Sequence, residues 1–387
     1  MSGKLYDVVV SGYLGIDLIP TFRKDRTGSN PSDLFRPGKL TEIDGMQVTL
    51  GGVVANTGLA LKRYGKKVAL NGKVGNDFMG RLIREKLHEY NIVDGIRISE
   101  SESTAFGIVI APPEIDRIFF ESPGCNETFG IDDVDLEKIS QSRFFHFGYP
   151  PLLKKFFMHD GRELLNLFSK VQELGAITSL DLSLPDVSSP SGRCDWPGIM
   201  NKVLPLTDVF VPSAEELLYI MMPLKYRQLL EEAGENDLID YLPFEIIRSL
   251  AHRIVEMGVS IVLIKMAHRG VYLLTGDISA IAGKGQFGLS LEDWNHVEMH
   301  CNAYPVDSSR FRNASGAGDT AVAAFLSAII DCMSPELSLK YTAIAGRNNL
   351  YSDDIYTDLE GWEEMGSEIA AQKESMVTKL KSKSIIQ

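Results

Sequence analysis

An α/β fold built on a mostly parallel central sheet flanked by helices, with a small antiparallel β lid, is predicted by three features of this 387-residue chain. Short apolar runs alternate with amphipathic segments of helical length, which is the syntax of βαβ units. Two hairpin-like stretches, near residues 39–50 and 105–121, stand apart from that alternation. A side-chain-poor loop, Arg312-Asn313-Ala314-Ser315-Gly316-Ala317-Gly318-Asp319-Thr320, opens an apolar helix over Ala321 to Ile330.

In chain order, Tyr6 to Val10 reads as a buried strand emptying into a loop at Ser11-Gly12. That loop delivers Asp17, and an acid beyond the carboxyl end of a strand is a candidate hydroxyl binder in an open α/β sheet. Residues 21–38, rich in Arg, Lys, Asp, Ser, Pro and Gly, read as an exposed loop. Lys39 to Ile43 and Met46 to Leu50 flank Asp44-Gly45, the signature of a tight hairpin. Gly51-Gly52 opens a helix that carries Asn56 and stops at Gly65. Strand Val68 to Val74, turn Gly75-Asn76-Asp77 and helix Phe78 to Tyr90 follow. The second hairpin pairs Ala105 to Ala111 with Arg117 to Glu121, and the four strands together predict a lid.

The alternation resumes with strand Phe144 to Phe147, helix Gly161 to Leu174, strands Ile177 to Leu182 and Val209 to Val211, and helices Ala214 to Ile220 and Phe244 to Met257. Strand Ile261 to Lys265 completes it. Residues 223–243 read as a charged helical or irregular insertion and 275–311 as an irregular one. After Trp362 an amphipathic helix with a Lys-rich end is expected on the outside.

Hydrophobic residues make up 44% and charged residues 24%, enough core-forming material for one large α/β domain with an accessory element or for two ordinary ones. A net charge of −13 argues against nucleic-acid or anionic-membrane partners, which need a basic face. No apolar run approaches the ~20 residues of a membrane helix. Cys125, Cys194, Cys301 and Cys332 show no C-x-x-C spacing, which points to the reduced cytoplasm. His296 and His300, four apart beside Cys301, lack the zincin arrangement and read as a surface strand or helix.

The Gly-rich loop carries the chemistry. Successive N–H groups at a helix start, with the partial positive charge of the dipole, suit a phosphate or a developing oxyanion, and glycine allows close approach. A carboxylate at Asp319 would repel a resting phosphate but suits a base that accepts a hydroxyl proton while the amides of Gly316, Ala317 and Gly318 hold the phosphoryl group. Two other readings fit the letters: an N-capped core helix, and the G-x-G-x-x-A form of a dinucleotide fingerprint.

Taken in order, these residues resemble the ribokinase-like (PfkB-type) carbohydrate kinases over nearly the whole chain. Asn313 to Thr320 is similar to the family's D-T-x-G-A-G-D motif. Gly51-Gly52 with Asn56, then Gly75-Asn76-Asp77 and Gly80, resemble its N-terminal one. The resemblance implies a single kinase domain over 1–387 with a lid from about 18–50 and 104–126. It implies Asp319 as the base, the 316–318 amides as the anion hole, and Asp17, Gly51, Gly52 and Asn56 as substrate binders. Pro123-Gly124-Cys125-Asn126 is similar to a lid-end P-G-A-N, so Asn126 joins the substrate side. Lys265-Met266-Ala267-His268-Arg269-Gly270 resembles a K-x-G-x-x-G segment near ATP, which assigns Lys265, Ala267 and Gly270 to the nucleotide. Ser213-Ala214-Glu215-Glu216 resembles an N-x-x-E motif, which assigns Ser213 to the nucleotide and Glu216 to Mg2+, held indirectly. Three positions depart from the pattern: Ser213 for Asn, Ala267 for Gly and Asn313 for Asp. ATP and Mg2+ are the expected cofactors and a small sugar-like molecule the expected acceptor, with the lid as the surface for a homodimer. A nucleoside kinase of the same fold, or a non-catalytic sugar-binding regulator, is the alternative.

Overall fold

In the computed structural model, residues 4–22, 37–92, 95–110, 118–282, 284, 288–312, 314–372 and 374–380 are described. The loop expected over 21–38, the turn 112–116 and Asn313 fall wholly or largely outside them. The strands in chain order are β1 (Tyr6–Gly12), β2 (Gly15–Phe22), β3 (Ile43–Gly51), β4 (Val68–Gly75), β5 (Ile96–Ser99), β6 (Phe106–Ile110) and β7 (Ile118–Ser122). They continue with β8 (Ser142–Gly148), β9 (Ile177–Asp181), β10 (Val209–Phe210), β11 (Ile261–Lys265), β12 (Val271–Thr275), β13 (Glu298–Cys301) and β14 (Val377–Lys379). The longer helices are α1 (Val53–Arg63), α2 (Phe78–Glu89), α3 (Lys154–Glu173), α4 (Trp196–Val203) and α5 (Ala214–Met221). After them come α6 (Pro223–Ala233), α7 (Phe244–Glu256), α8 (Ala317–Ile330), α9 (Pro335–Asn349) and α10 (Trp362–Ala371).

Ten strands form the large sheet in the order β14-β13-β12-β11-β10-β9-β8-β1-β4-β5. From β5 to β11 every pairing is parallel, and from β11 to β14 every pairing is antiparallel. Side chains alternate across β1: Val8 and Val10 join a core with Val54, Phe325 and Ile344, whereas Val9 joins another with Phe145, Leu164 and Leu217. Burial on both faces explains why the strands read as continuous apolar runs.

A second sheet, in the order β3-β2-β6-β7, forms the lid. Its outer pairings are antiparallel and its middle pairing, β2 with β6, is parallel. The 39–50 hairpin does not form. Residues 43–51 are one continuous strand paired with β2, and Asp44-Gly45 lies within it. A turn dipeptide yields to a longer partner when nine consecutive residues can pair. Asp17 therefore sits on β2 itself and not in a loop after β1.

Other segments also differ from expectation. The 275–311 stretch contributes β13, paired with β12, and the tail beyond α10 ends in β14 on the sheet edge instead of a helical end. His300 lies inside that pairing, its Nε2 at 2.8 Å from the Arg269 carbonyl, and Cys301 is fully buried, so this is not a surface element. The 223–243 insertion is helical: α6 and a short turn at Leu238–Tyr241 bury Tyr226, Leu229, Leu238 and Ile239. The helix expected from Gly161 begins earlier, at Lys154, and is interrupted by non-helical backbone at Met158 to Gly161.

Candidate active site

The loop before α8 turns on Gly316, whose φ of 76° and ψ of 0° are left-handed. Glycine takes this conformation without the clash a Cβ would bring. The Asn349 side chain on α9 locks the turn, donating to the Ser315 carbonyl at 2.7 Å and accepting from Thr320 Oγ1 at 2.8 Å. Of the three amides assigned to an anion hole, that of Ala317 is drawn into the turn by a 3.3 Å bond to the Ala314 carbonyl. Among the described residues, those of Gly316 and Gly318 show no bond to a loop carbonyl.

Asp319 is 4% exposed in the first turn of α8. Its Oδ1 accepts from Thr57 Oγ1 at 3.0 Å and from Tyr149 OH at 2.7 Å, and its Oδ2 accepts from Asn56 Nδ2 at 3.1 Å. Both oxygens of the buried carboxylate thus have hydrogen-bond donors, as burial requires.

Two cavities meet at Asp319. One, of about 180 Å³, lies under the lid and is lined by Asp17, Gly51, Gly52, Asn56, Glu121 and Tyr149 among others. Four of the five predicted substrate residues therefore share it. Glycines make the room: a Cβ on Gly51 would lie 2.8 Å from Asp17 Oδ2, and one on Gly107 2.6 Å from Oδ1. Gly52, at φ 85°, caps α1 where a Cβ would strike the Tyr13 carbonyl at 2.4 Å. Burial, then repulsion from Glu121, raises the Asp17 carboxyl to about 6. Partial burial pushes Glu121 up as well, although its side chain opens to solvent. Asn126 does not join them. It is fully buried and its amide is spent on Leu14, donating to the carbonyl at 2.9 Å and accepting from the N–H at 3.5 Å.

The other cavity, of about 500 Å³, is lined by Ser213, Glu216, Lys265, Ala267 and Gly270, the full set assigned to a nucleotide, together with the 316–318 loop. Ser213 N-caps α5 in a reciprocal box: its Oγ accepts from Glu216 N at 3.2 Å, and Glu216 Oε2 accepts from Ser213 N at 2.7 Å. The serine thus completes a cap that an asparagine would also make. Ala267 has φ 48°, which explains why glycine is usual in the similar motif.

Lys265 Nζ contacts both oxygens of Asp181 at 2.8 and 2.9 Å, and its chain passes within 3.7 Å of where a Gly318 Cβ would stand. Burial pushes the Asp181 carboxyl up against the pull of Lys265. Burial disfavours the Lys265 ammonium, but Asp181 and Glu216 outweigh it and raise its value. The pair is a fixed positive and negative charge beneath the loop. Asp181, Thr57, Glu121 and Tyr149 were not among the predicted site residues. Asp181 ends an apolar strand on the ligand-binding edge of the sheet, a signal that could have marked it. The others have no local signal, since each reaches the site only through long-range packing.

A mostly parallel sheet carrying a lidded polar cavity and a larger one, joined at a carboxylate under a helix N-terminus, defines a ribokinase-like small-molecule kinase. The chain belongs to the pfkB family of carbohydrate kinases, whose profile matches residues 7–348. It is 24% identical over 219 residues to an uncharacterized sugar kinase of Archaeoglobus fulgidus, covering 57% of this chain and 74% of that protein. It is 25% identical over 330 residues to probable fructokinase-2 of Arabidopsis thaliana, covering 84% and 82%. The match to fructokinase-1 of Zea mays spans 53% of that protein. Among solved structures, the fold is shared with Arabidopsis thaliana ribokinase complexed with ribose and ATP, at TM-score 0.66, 19% identity and coverage of 94% and 98%. It is also shared with Xylella fastidiosa fructokinase with bound ATP, at TM-score 0.67, 20% identity and coverage of 96% and 100%. Among the described residues, no helix is long and apolar enough to cross a membrane.

Proposed function

We propose that this chain is an ATP-dependent sugar kinase that moves the γ-phosphate of Mg·ATP to a hydroxyl of a small uncharged sugar, in one domain whose lid covers the acceptor. The observation that carries this reading is the position of Asp319, on the wall common to both cavities and beside the Gly316 to Gly318 loop.

The acceptor would lie in the smaller cavity with Asp17 and Glu121 accepting from its hydroxyls. Asp319 would take the proton of the attacking hydroxyl, and the amides of the loop, with the Lys265 ammonium behind them, would stabilise charge on the transferring group. Bound Mg2+ would offset phosphate charge, and Glu216 on the larger cavity's wall is placed to hold it through water. The lining argues against a negatively charged acceptor. Asp17, Glu121 and Asp319 face the smaller cavity, and no Lys, Arg or His is among its described lining residues. A phosphate or carboxylate brought to ~4 Å from one such acid would meet a repulsion of up to roughly 4 kcal/mol at an effective dielectric of 20.

Exposed Leu40, Ile43, Met46 and Phe120 on lid segments support pairing of the lid with a second copy. A cytoplasmic location agrees with four free cysteines.

The test is an ADP-release screen over neutral sugars, sugar acids, sugar phosphates and nucleosides, with the native chain and Asp319→Asn. Turnover with a neutral sugar and a loss of about a hundredfold or more in kcat for Asp319→Asn are expected. Turnover confined to sugar phosphates would overturn the acceptor class, nucleoside turnover would place the chain with nucleoside kinases, and acceptor binding without ADP release would leave a sugar-binding regulator.

A further inference from the structure

Among the described residues, Tyr149 joins Gly316 and Asp319 on the walls of both cavities. It follows Gly148 at the end of β8 in a left-handed conformation, φ 67° and ψ 42°, and Pro150 and Pro151 follow it. A bulky residue in that region costs on the order of 1 kcal/mol or more and persists where the surroundings hold it. What holds it is a 2.7 Å bond from its hydroxyl to Asp319 Oδ1 and a 3.4 Å bond from its N–H to the Asp181 carbonyl. Burial, then the negative charge of Asp319, raises the phenol well above its usual value, so it stays protonated and acts as donor.

A carboxylate offers about two lone-pair positions on each oxygen. Thr57 and Tyr149 fill both positions of Oδ1, and Asn56 fills one of Oδ2. Building on the functional reading above, we propose that Tyr149 is a positioning residue: it saturates Oδ1 of Asp319 and leaves the open position of Oδ2 to accept the proton of the attacking hydroxyl. The oxygen–hydrogen bond of the acceptor breaks and the proton bonds to Oδ2, while the acceptor oxygen bonds to the γ-phosphorus of ATP, whose bond to the β,γ-bridging oxygen breaks with its electron pair leaving on ADP. Asp181, Glu216 and Lys265 are the charged groups around this pair besides the two acids of the acceptor cavity, and none of them bonds to Asp319 or to the Tyr149 hydroxyl.

The test is a double-mutant cycle on the full chain: native, Tyr149→Phe, Asp319→Asn and the double variant, assayed with fructose as probe acceptor and Mg·ATP. Tyr149→Phe should lower kcat about tenfold or more and leave both KM values within about twofold, because the orientation of the base is lost but not binding. In the Asp319→Asn background the same change should cost less than about twofold, since residues acting as a unit are not additive. An equal loss in both backgrounds, or a loss confined to KM, would overturn the role. Thermal melts of the four proteins without ligand give an independent readout: shifts that fail to add show the bond in solution, and additive shifts overturn it. If the native chain releases no ADP with fructose or any other sugar, the functional reading fails by itself, and the melts still decide the contact.

Discussion

Asp17 carries a cost to stability that its proposed role in acceptor binding would account for. It sits on β2 with its carboxylate in the notch left by Gly51 and Gly107, and no Lys, Arg or His is among the described residues lining its cavity. Because burial and Glu121 raise it from 3.8 to about 6, the folded state holds a proton that the unfolded state has released between those values. Stability therefore falls as pH rises from about 4 through about 6, and the cost is fully present above that window. Asp17→Asn should raise the melting temperature at pH 8 by a few degrees and leave it unchanged near pH 4. The acceptor KM of the native chain should rise as pH falls through about 6, because the ionised form is the better acceptor of hydroxyls. Equal melts at both pH values would show that the carboxylate is solvated. In sequence, Asp319 was legible because it ends a Gly-rich loop, and Asp17 because it lies a few residues beyond the first apolar strand. Glu121, Tyr149 and Thr57 were not, because what makes them functional is a partner more than 90 residues away in each case.

At the level of elements, the apolar periodicity located the parallel strands and the helices well, since burial on both faces forces continuous apolar runs. It failed where pairing is decided by a distant partner. Asp44-Gly45 looked like a turn, yet β3 runs through it because β2 offers a partner along its length. The three antiparallel strands beyond β11 were mostly hidden, as β13 and β14 are only four and three residues long. β14 covers the edge of β13, with Met299, His300 and Cys301 facing Lys379, Thr378 and Val377. An uncovered edge is a template for pairing between molecules. Ending the chain at Ser375 should leave kcat within about twofold and increase light scattering on warming, because no residue of β14 lines either cavity. Loss of activity without scattering would show that the edge strand supports the site directly.

The whole molecule places its chemistry where its chain is least local. β1, from the first residues described, lies between β4 and β8, and the carboxylate held by Thr57 arrives 262 residues later. The mostly parallel sheet was legible from the alternation of runs, whereas the way the lid pairs depends on partners that no local pattern specifies. That connectivity has a kinetic corollary. Contacts of such separation are slow to close, so α-helices and much of the sheet should regain their signal before residues 56, 57, 149 and 319 meet. On dilution from denaturant, far-ultraviolet circular dichroism should recover ahead of ADP release, and simultaneous recovery would mean that the last contacts form together with the first. On a ribosome the consequence is sharper: Asp319 leaves the exit tunnel long after Asn56, Thr57 and Tyr149, so nascent protein can fold many of its layers and still lack the assembled carboxylate cluster.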